Sequence, residues 1–409
     1  MVDYFEVELS SRNNPNVPLK LPTTPYTLLD AMSRLNIEEG EVPTWTPYRP
    51  DRSNCCYSYD SFAEFDELYT CLAREGSIFE LNALIQKVSE MDDRQRTAFA
   101  GLLVMESGER SARIPLPRLI DLAYNTEACE VSDILDDRQL GRSRVESGSL
   151  PNMKDLPADI AGLLDFAQVG KNARMREGGA FVEHTKGHKG GYVVRHDLKQ
   201  VYKDLDLAPK KPDYEILWEL YPHWTNEQAK GKAVRLKLPA DQDTVNAALA
   251  ELHETGWSRV TWACLDCRVP SLIEIIDIEE NPRTIISLAE ELSAISDSQL
   301  TVYKALLEDS ACKGLNYALD LIDVLPQYTL SSQVHDPKEA AEAYLGQFLP
   351  ESGLESIQPY LDWSQFGQAL IRGHDSVLTG YGLIEQKDRP LISGDLKQEE
   401  SQRGGMGFA

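Results

Sequence analysis

The chain has 409 residues, enough for two or more domains that each bury a core, which excludes a small stapled fold. Its 66 acidic against 41 basic residues give a formal charge of -25, which repels nucleic acid, anionic membranes and acidic substrates and favours a positively charged partner. Seven cysteines without framework spacing, no charged n-region ahead of an apolar stretch, and no run near the roughly 18 to 20 apolar residues of a membrane span predict a reduced, cytoplasmic protein.

In chain order, VPLKLPTTPYTLLDAMSRL from Val17 reads as a short strand ended by Pro22. Thr23 or Thr24 then caps an amphipathic helix carrying Leu28, Leu29, Met32 and Leu35. LNALIQKVSEMDDRQRTAFAGLLVME from Leu81 predicts two short helices with a polar hinge near Asp92, and LPRLIDLAYNT from Leu116 predicts a third. GLLDFAQVGKNA near Leu164 leads to a Gly-rich, strand-like close, GGYVV at Gly190. Pro209, Lys210, Lys211 and Pro212 then interrupt helical periodicity.

The same order follows again. VRLKLPADQDTVNAALAEL from Val234 repeats the strand, the Leu-Pro stop, a cap at Asp241 or Asp243, and a helix with Val245, Leu249 and Leu252. IISLAEELSAISDSQLTVYKALLED from Ile285 repeats the helix pair, with a hinge near Ser296 and Gln299 at the place of Gln95. LNYALDLIDVL from Leu315 matches the third helix, setting Asp320 over Asp121. PYLDWSQFGQAL sets Asp362 over Asp165, Gln365 over Gln168 and Gly367 over Gly170, before TGYGLI at Thr379. The offset drifts from 217 (Val17 to Val234) to 197 (Asp165 to Asp362), as loop insertions would make it.

These matches predict an α+β fold, an elongated tandem of small strand-and-helix modules with helical middle modules in two copies. The first copy comprises modules 1–80, 81–150 and 151–208, and the second 209–283, 284–348 and 349–390. A polar, Gly-rich tail, 391–409, is expected to be disordered.

Motifs for catalysis are scarce. Cys264 and Cys267 have half the spacing of a zinc site but lack a second pair and sit among apolar residues, which favours buried thiols. Cys55 and Cys56 are adjacent, and packed or exposed rather than catalytic. His184 and His188 are four apart, but Gly187, Gly190 and Gly191 make that stretch a loop. No serine elbow, HExxH or EF-hand loop occurs, and Gly178-Gly179 does not resemble a phosphate loop. The reading is a non-enzymatic protein without metal or cofactor.

Carboxylates are the remaining signal. Residues 1–208 hold 24 Lys+Arg against 34 Asp+Glu, a net of -10, and the rest 17 against 32, a net of -15. Clusters occur at Asp60, Glu64, Asp66 and Glu67, then at Glu127, Glu130, Asp133, Asp136 and Asp137. The second half adds Glu274, Asp277, Glu279 and Glu280, then Glu290, Glu291 and Asp297, then Glu308, Asp309, Asp320 and Asp323. Carboxylates four apart on a helix lie about 6 Å apart along its axis, comparable to neighbouring phosphates of one DNA strand. Each alone is more readily an ordinary solvated face; only the total and its recurrence point to a binding surface.

The order of pieces resembles the ArdA antirestriction proteins: the strand ending in LKLP with its LLDAMSRL helix, the LNALIQKVSEMDDRQRTAFAGLL double helix, and LDFAQVG or LDWSQFG before a short strand. The resemblance covers most of 3–195 and again 214–385. It implies a bacterial DNA mimic, carried by a conjugative element, that occupies the DNA-binding groove of a type I restriction-modification enzyme without binding nucleic acid or membrane itself. Related chains of half this length commonly dimerise, so the reading favours a monomeric pseudo-dimer over a homodimer. The alternative partner is another basic DNA-binding defence nuclease, or a basic protein bound as an adaptor binds it; an enzyme using the His184 to His196 loop is the third class. The chain departs from the family in its doubled length and in Arg94, Arg96, Arg110, Arg113 and Arg118 within the first helical part, which predict a weaker first copy.

Overall fold

The computed structural model describes residues 4–11, 16–37, 43–48, 65–108, 113–149, 163–185, 188–207, 210–226, 228–276, 280–310 and 314–392. Among them the chain is a mixed α/β protein in which short three-stranded sheets are interspersed with helices. It divides into two compact units. Unit 1 holds residues 1–9, 18–23 and 42–209; unit 2 holds 10–17, 24–41 and 210–409.

In unit 1, β1 (Phe5–Ser10) lies between β2 (Val17–Leu21) and β3 (Thr44–Pro47), and its alternation turns Phe5, Val7 and Leu9 inward. Phe5 stacks on Tyr69, with ring centroids 4.2 Å apart. Helix α1 (Pro25–Arg34) is capped by Thr24 and belongs to unit 2. The chain then forms α2 (Asp66–Cys71), α3 (Ile78–Ser89), α4 (Asp93–Ser107) and α5 (Leu116–Tyr124). Leu81, Leu84, Ile85 and Val88 form the inward stripe of α3. Helix α4 is buried from Thr97 to Leu103 because it packs against α5 and also against the next sheet. That sheet contains β4 (Cys129–Ser132), β5 (Ala180–Val182) and β6 (Gly191–Arg195) in the order β4-β6-β5, with α6 (Asp137–Glu146) and α7 (Phe166–Glu177) between. Gly101 permits the close approach of α4 to β6, since a Cβ there would lie 2.6 Å from Val193.

Unit 2 contains β7 (Ile216–Pro222), β8 (Val234–Leu238) and β9 (Val260–Cys267) in the antiparallel order β8-β7-β9. A register shift at Leu217/Trp218 sets Leu217 opposite Asp266 and Trp218 opposite Cys264. Then come α8 (Gln242–Glu251), α9 (Pro282–Ala294), α10 (Asp297–Ser310) and α11 (Leu315–Val324). The last sheet, of order β10-β12-β11, is built from β10 (Tyr328–Ser331), β11 (Val377–Thr379) and β12 (Gly382–Gln386). Helices α12 (Pro337–Leu345), α13 (Glu351–Ile357) and α14 (Trp363–Gly373) intervene. One apolar core runs from Ile216, Trp218 and Leu238 through Val245 and Leu249 to Leu288, Leu292, Tyr303 and Leu306, and no residue of α1 belongs to it.

Several expectations from sequence have a structural cause. Asp92 caps α4 and Gln95 closes the box by accepting the Asp92 N–H at 3.0 Å. Ser296 and Gln299 do the same for α10, through the Ser296 N–H at 3.1 Å and the Gln299 N–H at 3.3 Å. Asp165 and Asp362 cap α7 and α14. Among the helices, α2, α6, α12 and α13 went unread, and so did strands such as β1, β3, β4, β5, β9 and β10. DRQLGRSRVE of α6 buries only Leu140 and Gly141, too little for apolar periodicity to show.

Candidate acidic interface

The middle helices of unit 2 sort their carboxylates by packing. On α9, Ile285, Leu288, Ala289 and Leu292 face the core, which leaves Glu290 and Glu291 exposed. On α10, Leu300, Tyr303, Leu306 and Leu307 turn inward and Glu308 and Asp309 outward. Asp320 and Asp323, three apart, are exposed on one side of α11. Glu290, Glu291, Asp309, Asp320 and Asp323 carry no ion pair among the described residues, and nor does exposed Glu274.

The other predicted acids of this unit are engaged. Asp297 receives Lys211 at 3.1 Å and Arg268 at 2.5 Å; these bonds, Lys211 first, hold its carboxyl below the usual range. Glu308 pairs with Arg34 at 3.2 Å and accepts the Gly380 N–H at 2.9 Å. Half-buried Glu280 accepts the Leu315 N–H at 3.4 Å. Asp277 and Glu279 lie outside the described residues.

Unit 1 is differently arranged. Glu127 is bound by Arg94 at 3.3 Å and Gln95 at 2.7 Å, and Glu130 lies 3.2 Å from His196. Asp136 caps α6, and Asp137 makes a two-pronged contact with Arg174 at 2.9 and 3.1 Å. Asp133 is exposed with no ion pair among the described residues. Asp66 and Glu67 stand on α2, and Asp60 and Glu64 lie outside the described residues. The arginines of the helical part act internally. Arg118 grips Glu106 at 2.9 Å through two nitrogens, Arg96 reaches the Met91 carbonyl at 2.8 Å, and Arg113 reaches those of Tyr69 and Leu72. Arg110 lies outside the described residues.

No group of His, Cys, Asp and Glu among the described residues has a metal-binding arrangement. Cys267 is fully buried and Cys264 half-buried, and burial pushes both thiols up, Cys264 to about 12. Cys55 and Cys56 fall outside the described residues. His184 and His188 sit in the loop between β5 and β6, where His188 is buried. A cleft of about 930 Å³ in unit 2 is lined by α1, α10 and β10. Its cations are occupied: Arg268 by Glu215 and Asp297, Lys304 by Asp30, Lys211 by Asp297, and Lys387 by the Pro326 carbonyl. No described helix is long and apolar enough to cross a membrane.

The buried acids escaped the sequence reading. Asp30, Glu254, Asp266 and Glu385 are all inside. Asp266 accepts the Tyr214 hydroxyl at 2.9 Å and the Cys267 N–H at 3.0 Å, while burial pushes its carboxyl above the usual range. The one available signal was its place in ACLDCRV, a charge among apolar neighbours. No model of a known family matches the chain, and no curated protein matches it in sequence.

Proposed function

We propose that the chain is an acidic DNA-mimic antirestriction protein, a tandem duplication that inhibits type I restriction-modification enzymes by filling their DNA-binding groove. The observation that carries the reading is the set Glu290, Glu291, Asp309, Asp320 and Asp323. These five carboxylates project from packed helices without ion pairs among the described residues, in a chain of charge -25. Helix-borne charges are already ordered, so a basic groove binds them without first freezing a loop. In unit 1 the acids Glu106, Glu127 and Asp137 are instead bound by Arg118, Arg94 and Arg174, which supports a weaker first copy.

Duplication is supported by the recurrence of strand order, middle strand first in chain order (β2-β1-β3, β8-β7-β9) and then last (β4-β6-β5, β10-β12-β11). It is further supported by Gln95 and Gln299 closing equivalent capping boxes. The function needs no catalysis, metal or cofactor.

The test is displacement. A labelled duplex bound to a purified type I restriction-modification enzyme is titrated with the protein, and the reading expects competitive release of the duplex with loss of cleavage. Binding to the enzyme without release of duplex would instead favour an adaptor. Release from another defence nuclease alone would move the target within the same mechanism.

A further inference from the structure

We propose that the outer edge of β10 is a docking site for a short extended peptide of a partner protein, with apolar side chains at alternate positions and a carboxylate near one end. The proposal is independent of the function proposed above. It starts from the register of the last sheet, in which β10 is an edge strand. The Lys387 N–H donates to the Gln327 carbonyl at 2.9 Å, and Thr329 and Ser331 lie opposite Glu385 and Leu383. Hydrogen-bonded pairs alternate in an antiparallel ladder, so Gln327, Thr329 and Ser331 turn their backbone groups towards β12, and Tyr328 and Leu330 turn theirs away. The Tyr328 N–H is used locally, on the Leu325 carbonyl. The Tyr328 and Leu330 carbonyls and the Leu330 N–H are left without a partner among the described residues.

The matching edge in unit 1 is plugged. There the His196 N–H donates to the Ala128 carbonyl at 3.0 Å, so Cys129 of β4 turns outward as Tyr328 does. Arg94 of α4 covers it, donating to the Cys129 carbonyl at 2.8 Å and pairing with Glu127 at 3.3 Å. The Gln95 and Gln299 caps set Ser298 at the place of Arg94, and the register of Asp121 with Asp320 sets Pro326 at the place of Glu127. Ser298 is short, and its hydroxyl lies 3.1 Å from that of Ser296. Where unit 1 has the plug, unit 2 has the cleft of about 930 Å³, lined by Ser298, Tyr328 and Leu330 among others.

The walls of the cleft indicate its occupant. Tyr26, Leu28, Ala31 and Leu35 pack α1 inward at 0–3% exposure, which fixes Leu29 and Met32, on its other side, as an apolar wall. Leu300 and Val302 of α10 add to it. Unpaired backbone groups beside apolar walls suit an extended chain, whose amides complete the sheet and whose alternate side chains enter the apolar surface. An edge set between two helices admits one strand and excludes the sheet of a second folded copy. At the rim, exposed Lys387 meets the Pro326 carbonyl at 2.8 Å and no carboxylate among the described residues. Asp297, the one carboxylate on the lining, is held by Lys211 and Arg268. A carboxylate on the peptide therefore matches Lys387.

A random heptapeptide library panned against the purified full chain tests this, with the parent and Ser298→Arg compared. Ser298→Arg restores the arginine of unit 1 at an exposed position. Peptides enriched on the parent should carry alternating apolar residues and an acid. By fluorescence polarisation they should bind Ser298→Arg at least about tenfold more weakly, because several backbone hydrogen bonds are lost together. On the parent, methylating one edge-facing amide nitrogen of such a peptide should weaken binding about threefold to tenfold, and methylating the next amide, which points away, should have a smaller effect. Lys387→Gln should weaken the acidic peptides about twofold to fivefold. No enrichment on the parent, equal binding to Ser298→Arg of unchanged circular dichroism, or indifference to methylation at every amide would overturn the docking site. A parent dimer that Ser298→Arg dissociates would make a second copy the occupant and overturn it equally.

Discussion

Two glycines show what a single missing Cβ permits. At Gly170 an added Cβ would sit 1.7 Å from the Asp137 carbonyl oxygen, and at Gly367 it would sit 1.6 Å from that of Pro337. Backbone meets backbone there, so no side chain can yield. We expect Gly170→Ala and Gly367→Ala to destabilise by about 1 to 3 kcal/mol or more, read as a lowered denaturation midpoint. Gly353→Ala has only ordinary contacts at 3.4 Å and should be neutral or gain about 0.5 to 1 kcal/mol. Titration is a second residue-scale test. The bond from Arg118 outweighs burial and holds the Glu106 carboxyl below the ordinary range. A depressed carboxyl pKa contributes stability that is full above the unfolded value of about 4.3 and is lost as pH falls through the folded value. Thermal melts across pH should therefore show a shallower acid decline in Glu106→Gln than in the parent.

At the scale of elements, the caps explain why two distant stretches share a glutamine. Asp92 with Gln95, and Ser296 with Gln299, satisfy the otherwise unpaired N–H groups that open α4 and α10. Asp92→Ala and Ser296→Ala should each cost about 0.5 to 2 kcal/mol in denaturant unfolding. Equal loss from a Glu90→Ala control would speak against the assignment. Helices with an apolar stripe and a cap, such as α3, α4, α9 and α10, were legible in the sequence because both signals are local. Helix α6 was not, because its burial rests on a close crossing with α7, a non-local event marked only by Gly141 and Gly170. The periodicity of α1 predicts a helix but not which core it joins. The predicted acidic surface mixes free and engaged groups for the same reason. Asp137 finds Arg174 37 residues away, and Asp297 finds Arg268 29 residues away. Even aligned acids part company: Asp121 is buried and accepts the N–H groups of Val201 and Tyr202 at 2.7 and 2.8 Å, while Asp320 is exposed.

For the whole molecule, charge decides the proposed behaviour. If duplication has replaced dimerisation, light scattering should give a mass near 45.9 kDa that does not change on dilution. A stable species of twice that mass would mean that self-association persists. The central claim is that free carboxylates on the helices of unit 2 stand in for phosphates. The most direct measurement is inhibition of a type I restriction-modification enzyme as ionic strength rises, comparing the parent with a variant in which Glu290, Glu291, Asp309, Asp320 and Asp323 are all changed to their amides. Screening shortens from about 10 Å at 0.1 M to about 3 Å at 1 M, so a carboxylate-led interface fades over that range. The account predicts parent inhibition that weakens steeply with salt, and a variant of unchanged fold that inhibits more weakly with a shallower salt dependence. Inhibition insensitive to salt, or a variant equal to the parent at every salt concentration, would contradict it.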